Sequence, residues 1–443
     1  MLYIKTSLLV IRCVFCYLFK IKDSKNNDYY LAGKCLLSLS FRYPGKDKNS
    51  LIFFVKYFIR TLLLKKIYLP DTNKRYSEGN EFFYDISYDS EKQRILYLEY
   101  FLKKPINGGI WKEKSLGYFT FLGKLIQLFS LLILFSFLFP IALFSSISPA
   151  SLALIFTEYI ETVNLLYITR KNKVSILYYF CIYEKNSNIT TIALQSDGAK
   201  VIKIPSEVPF FFWNKIIIAD TLVLCDTNQL EELERYKDTI HIQETVFWGP
   251  ERCVEVLNRY KLKSIREAAS NQTIGLYSSA AYIRKMEGQL LYGNMLAQED
   301  ALKSILAEYL IINKSAKLLI FPHPKEKNNK YEKIVINHYS KYFEGLNYSV
   351  VLNPKPSSYY LEMVELGISL YSTIIYERLF FGFKCLLFSS PHENFPLAGT
   401  PLSNISSEDK NSLFNKIDLF LSFKTDEYFS FTGIKKSPFF ENI

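Results

Sequence analysis

From Leu125 to Thr157 the chain reads LIQLFSLLILFSFLFPIALFSSISPASLALIFT, without one charged residue, between Lys124 and Glu158. A buried soluble helix rarely needs more than about 20 such residues, so insertion into a bilayer is the expectation. As one straight helix the run would measure roughly 50 Å at about 1.5 Å per residue, against a hydrocarbon core of roughly 30 Å. Two complete spans would need about 40 residues. Pro140, Pro149 and the stretch FSSIS between them supply a break in the middle. Two short helices that dip into one leaflet and return fit these lengths. Lys103, Lys104, Lys112 and Lys114 precede the run, and Arg170, Lys171 and Lys173 follow it. Positive charge marks the cytoplasmic side, so both flanks belong on the same face, as in a re-entrant hairpin. A tilted single span is the alternative.

With 443 residues the chain has room for two domains of ordinary size. Half of its residues are apolar and 16% are aromatic, which excludes wholesale disorder. The net charge of +11 comes mostly from scattered lysines. Without a basic cluster interleaved with aromatics, nucleic acid is not an expected partner. An anionic membrane surface or an anionic substrate suits the charge better. Seven cysteines include one CxxC, Cys13 and Cys16, inside the apolar stretch Ser7–Phe19 and beside Arg12. With no second pair nearby, these read as structural thiols rather than a zinc or redox site, and no metal is expected. The stretch lacks a small-residue cleavage site and reads as a helix on or near the membrane, or in the core.

Ahead of the apolar run the pattern is weak; Arg94-Ile-Leu-Tyr-Leu-Glu-Tyr reads as a strand. Behind it a βαβ rhythm appears: a strand in Ser175–Ile182, a helix over Asn188–Leu194 ended by Ser196-Asp197-Gly198, and strands at Lys200–Ile204 and Ile216–Leu224. A polar helical connection covers 250–272. The rhythm then restarts. Strands are expected at TIGLYSS from Thr273, at Lys317–Phe321, Tyr348–Leu352 and Gly367–Tyr371, and last at Lys384–Phe388. Between them fall helices around Gln298–Ile312, Lys330–Tyr342, Ser357–Glu365 and Ser372–Phe381, the last stopping at Gly382. This is a doubly wound α/β pattern.

Open parallel sheets bind ligands beyond the carboxyl ends of their strands. Three such ends carry unusual residues: Ser278-Ser279, Pro322-His323-Pro324 and Ser372-Thr373. The Ser-Thr pair opens a helix, where free N–H groups, the helix dipole and two hydroxyls suit an anion, although ordinary capping uses the same residues. Prolines on both sides of His323 fix the backbone that carries the imidazole. Such a histidine can donate a hydrogen bond or a proton to a departing phosphate; an incidental turn is the plainer reading.

PHP after an apolar strand, followed by YSTIIYERLFFGFKCLLF, resembles bacterial GT-B-type transferases that use CMP- or CDP-activated donors. These are the sialyltransferases, polysialyltransferases, Kdo transferases and CDP-glycerol glycerophosphotransferases. The resemblance covers about 273–390. It implies two Rossmann-like domains facing a cleft, here with the membrane hairpin inserted in the N-terminal half. The acceptor domain would comprise 1–117 and 167–258, the hairpin 118–166, the connection 259–272, the nucleotide-donor domain 273–425 and a tail 426–443. It also implies that His323 and Pro324 form the HP pair, that Ser372 and Thr373 hold the donor phosphates, and that Glu377 is the acidic residue on the next helix. Ser278 and Ser279 would join the donor site. The acidic-acidic-glycine motif of sialyltransferases is missing, since Ser196-Asp197-Gly198 holds one acid; Glu184 and Glu207 are the candidates for a general base. The implied activity is metal-independent glycosyl transfer without a cofactor, from a nucleotide sugar to a capsule, lipopolysaccharide or lipid-linked glycan, at the cytoplasmic face of the bacterial cell membrane. A nucleotide-sugar 2-epimerase of the same shape and a non-catalytic membrane scaffold are the alternatives.

Overall fold

The computed structural model describes residues 2–23, 25–37, 67–70, 81–84, 91–104, 110–114, 173–180, 187–204, 216–225, 227–235, 237–249, 253–260, 272–288, 294–370, 372–388 and 401–435, with scattered helical positions between 129 and 170. The chain divides into two compact units. Unit 1 comprises Met1–Ser206, Phe210–Leu224 and Leu233–Val246; unit 2 comprises Glu207–Pro209, Cys225–Glu232 and Phe247–Ile443.

Unit 1 opens with helices α1 (Leu2–Leu18) and α2 (Asn27–Leu37). Val10, Cys13 and Val14 recur at helical spacing on α1 and are buried, while Leu8, Phe15 and Phe19 are exposed. Gly33 lets the two helices touch, because a side-chain carbon there would collide with the Cys13 carbonyl. Arg12 donates to Asn26 Oδ1 at 2.7 Å and lies over the Tyr29 ring. Cys13 and Cys16 are buried free thiols, and burial pushes both up, away from the thiolate form.

The sheet of unit 1 contains β1 (Ile67–Pro70), β2 (Glu81–Tyr84), β3 (Ile110–Lys114), β4 (Ile176–Phe180), β5 (Lys200–Ile204), β6 (Ile217–Leu224) and β7 (Ile240–Phe247), in the order β1-β3-β2-β4-β5-β6-β7. β1 runs antiparallel to β3, whereas β3-β2-β4-β5-β6 pair in parallel. The segment Arg94–Tyr100 is not a strand: it lies within helix α3 (Glu91–Leu102). Arg94, Tyr97 and Leu98 are buried and Leu96 is half exposed, a spacing of three and four that only a helix produces. Helix α4 (Ser187–Ser196) ends as expected, with Gly198 in the left-handed region at φ 85°.

Part of the uncharged run enters the protein core. Leu134, Leu138 and Ile155, with Tyr159 and Val163 beyond it, pack with Val10, Cys13, Leu31, Ile189 and Ile216, whereas Phe129, Leu132 and Phe137 are exposed. Pro140, expected at the break, is itself helical; residues 141–150 lie outside the described residues. Among the described residues no helix is long and apolar enough to cross a membrane.

Unit 2 contributes helix α5 (Cys253–Tyr260), β8 (Thr273–Tyr277), helices α6 (Ala281–Met286) and α7 (Met295–Ile312), β9 (Lys317–Phe321), α8 (Glu332–Phe343), β10 (Tyr348–Val350), β11 (Leu366–Ser369), α9 (Thr373–Phe380), β12 (Lys384–Phe388), β13 (Ser406–Ser407), α10 (Lys410–Ser422) and α11 (Thr425–Thr432). The helix expected around Ser357–Glu365 is a 3-10 helix over Ser357–Met363, with Tyr360 off helical geometry. β12 is not the last strand, because β13 pairs with it. All pairings are parallel, in the order β10-β9-β8-β11-β12-β13. The chain therefore winds outwards from β8 in one direction, returns, and winds outwards from β11 in the other. β8 and β11 flank the reversal, the place where doubly wound sheets open a crevice at their carboxyl ends.

Candidate functional site

Tyr277, Phe321 and Ser369 stand side by side in the registers of β8, β9 and β11. The described residues after them, 278–281, 322–327, and 370 with 372–373, consequently leave the sheet at neighbouring positions on one edge. Ser278-Ser279, His323 and Ser372-Thr373 are brought to three adjacent strand heads, although nearly a hundred residues of chain separate Ser279 from Ser372.

The first loop is held by a carboxylate from below. Glu299, buried on α7, accepts from Ser278 Oγ (2.9 Å), Ser279 N (2.8 Å) and Ala281 N (3.1 Å). It caps α6 while Ala280 sits left-handed at φ 56°. The Ser278 hydroxyl is thus committed inward. The Ser279 hydroxyl is buried and, among the described residues, has no hydrogen-bond partner.

The second loop turns tightly at His323. The His323 N–H donates to Glu326 Oε2 at 2.6 Å, and the N–H groups of Glu326 and Lys327 return to the His323 carbonyl. Glu326 is fully buried and also accepts from Tyr339 at 2.9 Å. Burial, and after it the nearby Glu299 charge, pushes its carboxyl up. Pro322 is buried and Pro324 exposed, so the turn is fixed by Glu326 as well as by its prolines. Nδ1 of His323 accepts from Lys325 N at 3.1 Å, and Nε2 lies 3.4 Å from Arg284 Nη2. Burial, then the Arg284 and Lys325 charges, push the imidazole down to about 4. In the ligand-free protein at neutral pH, His323 is a neutral donor; a phosphate beside it favours the protonated form.

The third loop ends at Ser372, extended at φ −139° and ψ 143°, whose hydroxyl makes no cap hydrogen bond to α9. Ser372 is partly buried and Thr373 exposed. Glu377, four residues on, shares the face of α9 that carries Thr373 and is partly buried. Its charge contributes, after burial, to raising the Cys253 thiol. The proposed bases Glu184 and Glu207 lie outside the described residues. Among the described residues, no group of three His, Cys, Asp or Glu side chains is placed to hold a metal.

Sequence reasoning missed Glu299, Glu326 and Arg284. Glu326 had a local signal, an acid three residues beyond the histidine of PHPKEK, the spacing at which a carboxylate closes a turn. Arg284 and Glu299 had none, because sheet topology alone brings them to the site.

Two histidines predict an acid-sensitive unit 2. His338, stacked on Tyr282 at 3.6 Å and 2.6 Å from Lys303 Nζ, is also pushed down to about 4, by burial and then by Lys303. Unfolded, both rings bind a proton near their ordinary 6.5; folded, they stay neutral to about 4. The stability this provides is complete above about 6.5 and drains away as pH falls towards 4, on the order of 1–3 kcal/mol for each ring. Urea unfolding at pH 7.5 and pH 5 should show the loss, and His338→Gln should flatten the slope. An unchanged slope in that variant would contradict the burial argument.

No family model matches this sequence, and no curated protein matches it. Solved structures similar to the chain include MurG from Acinetobacter baumannii, at 12% identity over 65% of this chain and 77% of that one, with a TM-score of 0.39. The UDP-GlcNAc 2-epimerase from Neisseria meningitidis, bound to UDP-GlcNAc, is 11% identical over 64% and 77%, with a TM-score of 0.39. The wall teichoic acid polymerase TagF is 10% identical over 92% of each chain, also with a TM-score of 0.39. At such low similarity no role given to a residue of this chain rests on these likenesses.

Proposed function

We propose that this protein is a GT-B-type glycosyltransferase that takes a sugar from a nucleotide-activated donor of the CMP or CDP kind. Its acceptor is a surface polysaccharide or lipid-linked glycan, such as a capsule or lipopolysaccharide precursor, at the cytoplasmic face of a bacterial cell membrane. One observation carries the reading. Ser279, His323 and Ser372-Thr373 converge at the strand-order reversal of unit 2, where a helix start and a turn-fixed imidazole can receive donor phosphates. Unit 2 then binds the donor and unit 1 the acceptor. His323 stabilises and protonates the leaving phosphate, and Glu184 or Glu207 deprotonates the acceptor hydroxyl, in a metal-independent reaction. Screening the purified protein against CMP, CDP, UDP and GDP for thermal stabilisation tests this. Cytidine nucleotides should raise Tm most. Stabilisation by UDP alone favours the epimerase, and none by any nucleotide favours a scaffold.

Membrane attachment through 125–157 belongs to the same proposal. The uncharged run, its basic flanks and the exposed Phe129, Leu132 and Phe137 support it. Reporter fusions at Lys114 and Lys173 should both report the cytoplasm; opposite sides would establish a single span instead.

A further inference from the structure

We propose that Arg284 and His323 form a two-pronged clamp for one oxygen of a phosphoryl group, which makes Arg284 a ligand-touching residue of the donor site. The inference rests on the donor-site reading above and adds a residue that neither motif nor resemblance marks. Both ring nitrogens of His323 face N–H donors: Lys325 N at Nδ1 (3.1 Å) and Arg284 Nη2 at Nε2 (3.4 Å). A neutral imidazole has one acceptor nitrogen, so one of these contacts sets a donor against a donor. The Lys325 contact is shorter and built into the turn, two residues along the chain, so Nδ1 is the acceptor and Nε2 carries the hydrogen. Two donors then converge, with no acceptor between them among the described residues.

Arg284 is not a loose surface side chain. Its Nε donates to the Ser279 carbonyl at 3.1 Å, which anchors the guanidinium to the first strand-head loop. Among the described residues no carboxylate pairs with it. Glu287, three residues on, is engaged instead by Lys325 at 3.6 Å and Lys330 at 3.5 Å. A partly buried guanidinium beside an imidazole N–H gathers donors at one point. An oxyanion placed against both nitrogens accepts from each and offsets the guanidinium charge. A phosphoryl oxygen suits it, because guanidinium presents planar donors that fit phosphate geometry. The position agrees: the pair hangs over the β8 and β9 heads, next to the reversal between β8 and β11.

The test uses the full chain with histidine labelled in the ring nitrogens. Only four histidines contribute signals, and His323 is assigned by its loss in His323→Gln. Adding inorganic pyrophosphate or CMP should move the His323 Nε2 resonance and leave His338 in place; cytidine should move neither. By calorimetry, Arg284→Met should weaken pyrophosphate and CMP by about tenfold or more, with Arg284→Lys intermediate, as expected when a charge-assisted contact of about 1.4 kcal/mol or more is lost. An undisturbed His338 resonance shows that the variant is folded. The proposal is overturned if tens of millimolar pyrophosphate leave His323 unmoved in the unaltered protein. It is also overturned if Arg284→Met binds pyrophosphate as the unaltered protein does. If the clamp binds pyrophosphate while no nucleotide sugar is turned over, the clamp stands and the transferase reading fails. Turnover at full rate in Arg284→Met does the reverse.

Discussion

Arg378→Met should destabilise unit 2 by more than about 4 kcal/mol, a large share of the roughly 5–15 kcal/mol by which a domain is stable. Arg378 is fully buried on α9, and its guanidinium ties together three segments distant in sequence. It donates to Val364 O at 2.9 Å, Leu361 O at 3.2 Å and Tyr277 Oη at 3.2 Å, and twice to Lys384 O at 3.3 Å. Replacing a buried ion by an apolar side chain is often harmless when both partners leave together. Here three of the four partners are backbone carbonyls, which stay buried and lose their donors at about 1–3 kcal/mol each. Arg378→Lys should rescue little, since an ammonium cannot reach four acceptors in a fixed plane. Gly367 is shaped to the same group: a side-chain carbon there would lie 2.5 Å from Arg378 Nε. Gly367→Ala should therefore cost about 1–3 kcal/mol through overpacking. Urea unfolding followed by hydrogen exchange over β8, β11 and β12 measures both. A loss below about 1 kcal/mol for Arg378→Met would show that the carbonyls find other donors.

His323→Ala should lower turnover by about a hundredfold or more, with a smaller effect on ground-state nucleotide binding. The fold should survive, because the turn keeps the bonds of the His323 backbone and Glu326 and loses only the ring's contact with Lys325 N. His323→Gln separates two roles. Glutamine keeps an N–H donor without an acid, so a partial recovery means that hydrogen bonding suffices, whereas a rate as low as that of alanine means that the ring delivers a proton. Ser372→Ala with Thr373→Ala should mainly weaken nucleotide binding and leave α9 intact, since the Ser372 hydroxyl makes no cap bond. Full activity in His323→Ala reduces the PHP turn to architecture. An unfolded double variant with undiminished nucleotide affinity does the same for the Ser-Thr pair.

Much of this architecture is local and was legible in the residues. Lys200–Ile204, Lys317–Phe321 and Lys384–Phe388 are strands with the expected bounds, because short apolar runs between turn residues suit strands buried on both faces. Gly382, at φ 82°, ends α9 where its missing side chain allows the left-handed turn. The three strand-head motifs were visible for the same reason: each is a property of one strand and the turn that follows it. Arg94–Tyr100 was misread because four consecutive apolar residues fit either period, and the burial of Arg94 over the Phe180 ring decides for helix. Only the tertiary structure sets the strand order that places β8 between β9 and β11. That order depends on which strands pair across long stretches of chain, and no local periodicity encodes it. It is what carries Glu299 beneath Ser278, Arg284 beside His323 and Arg378 under Gly367, so the residues that hold the site together became visible only once the sheet was assembled.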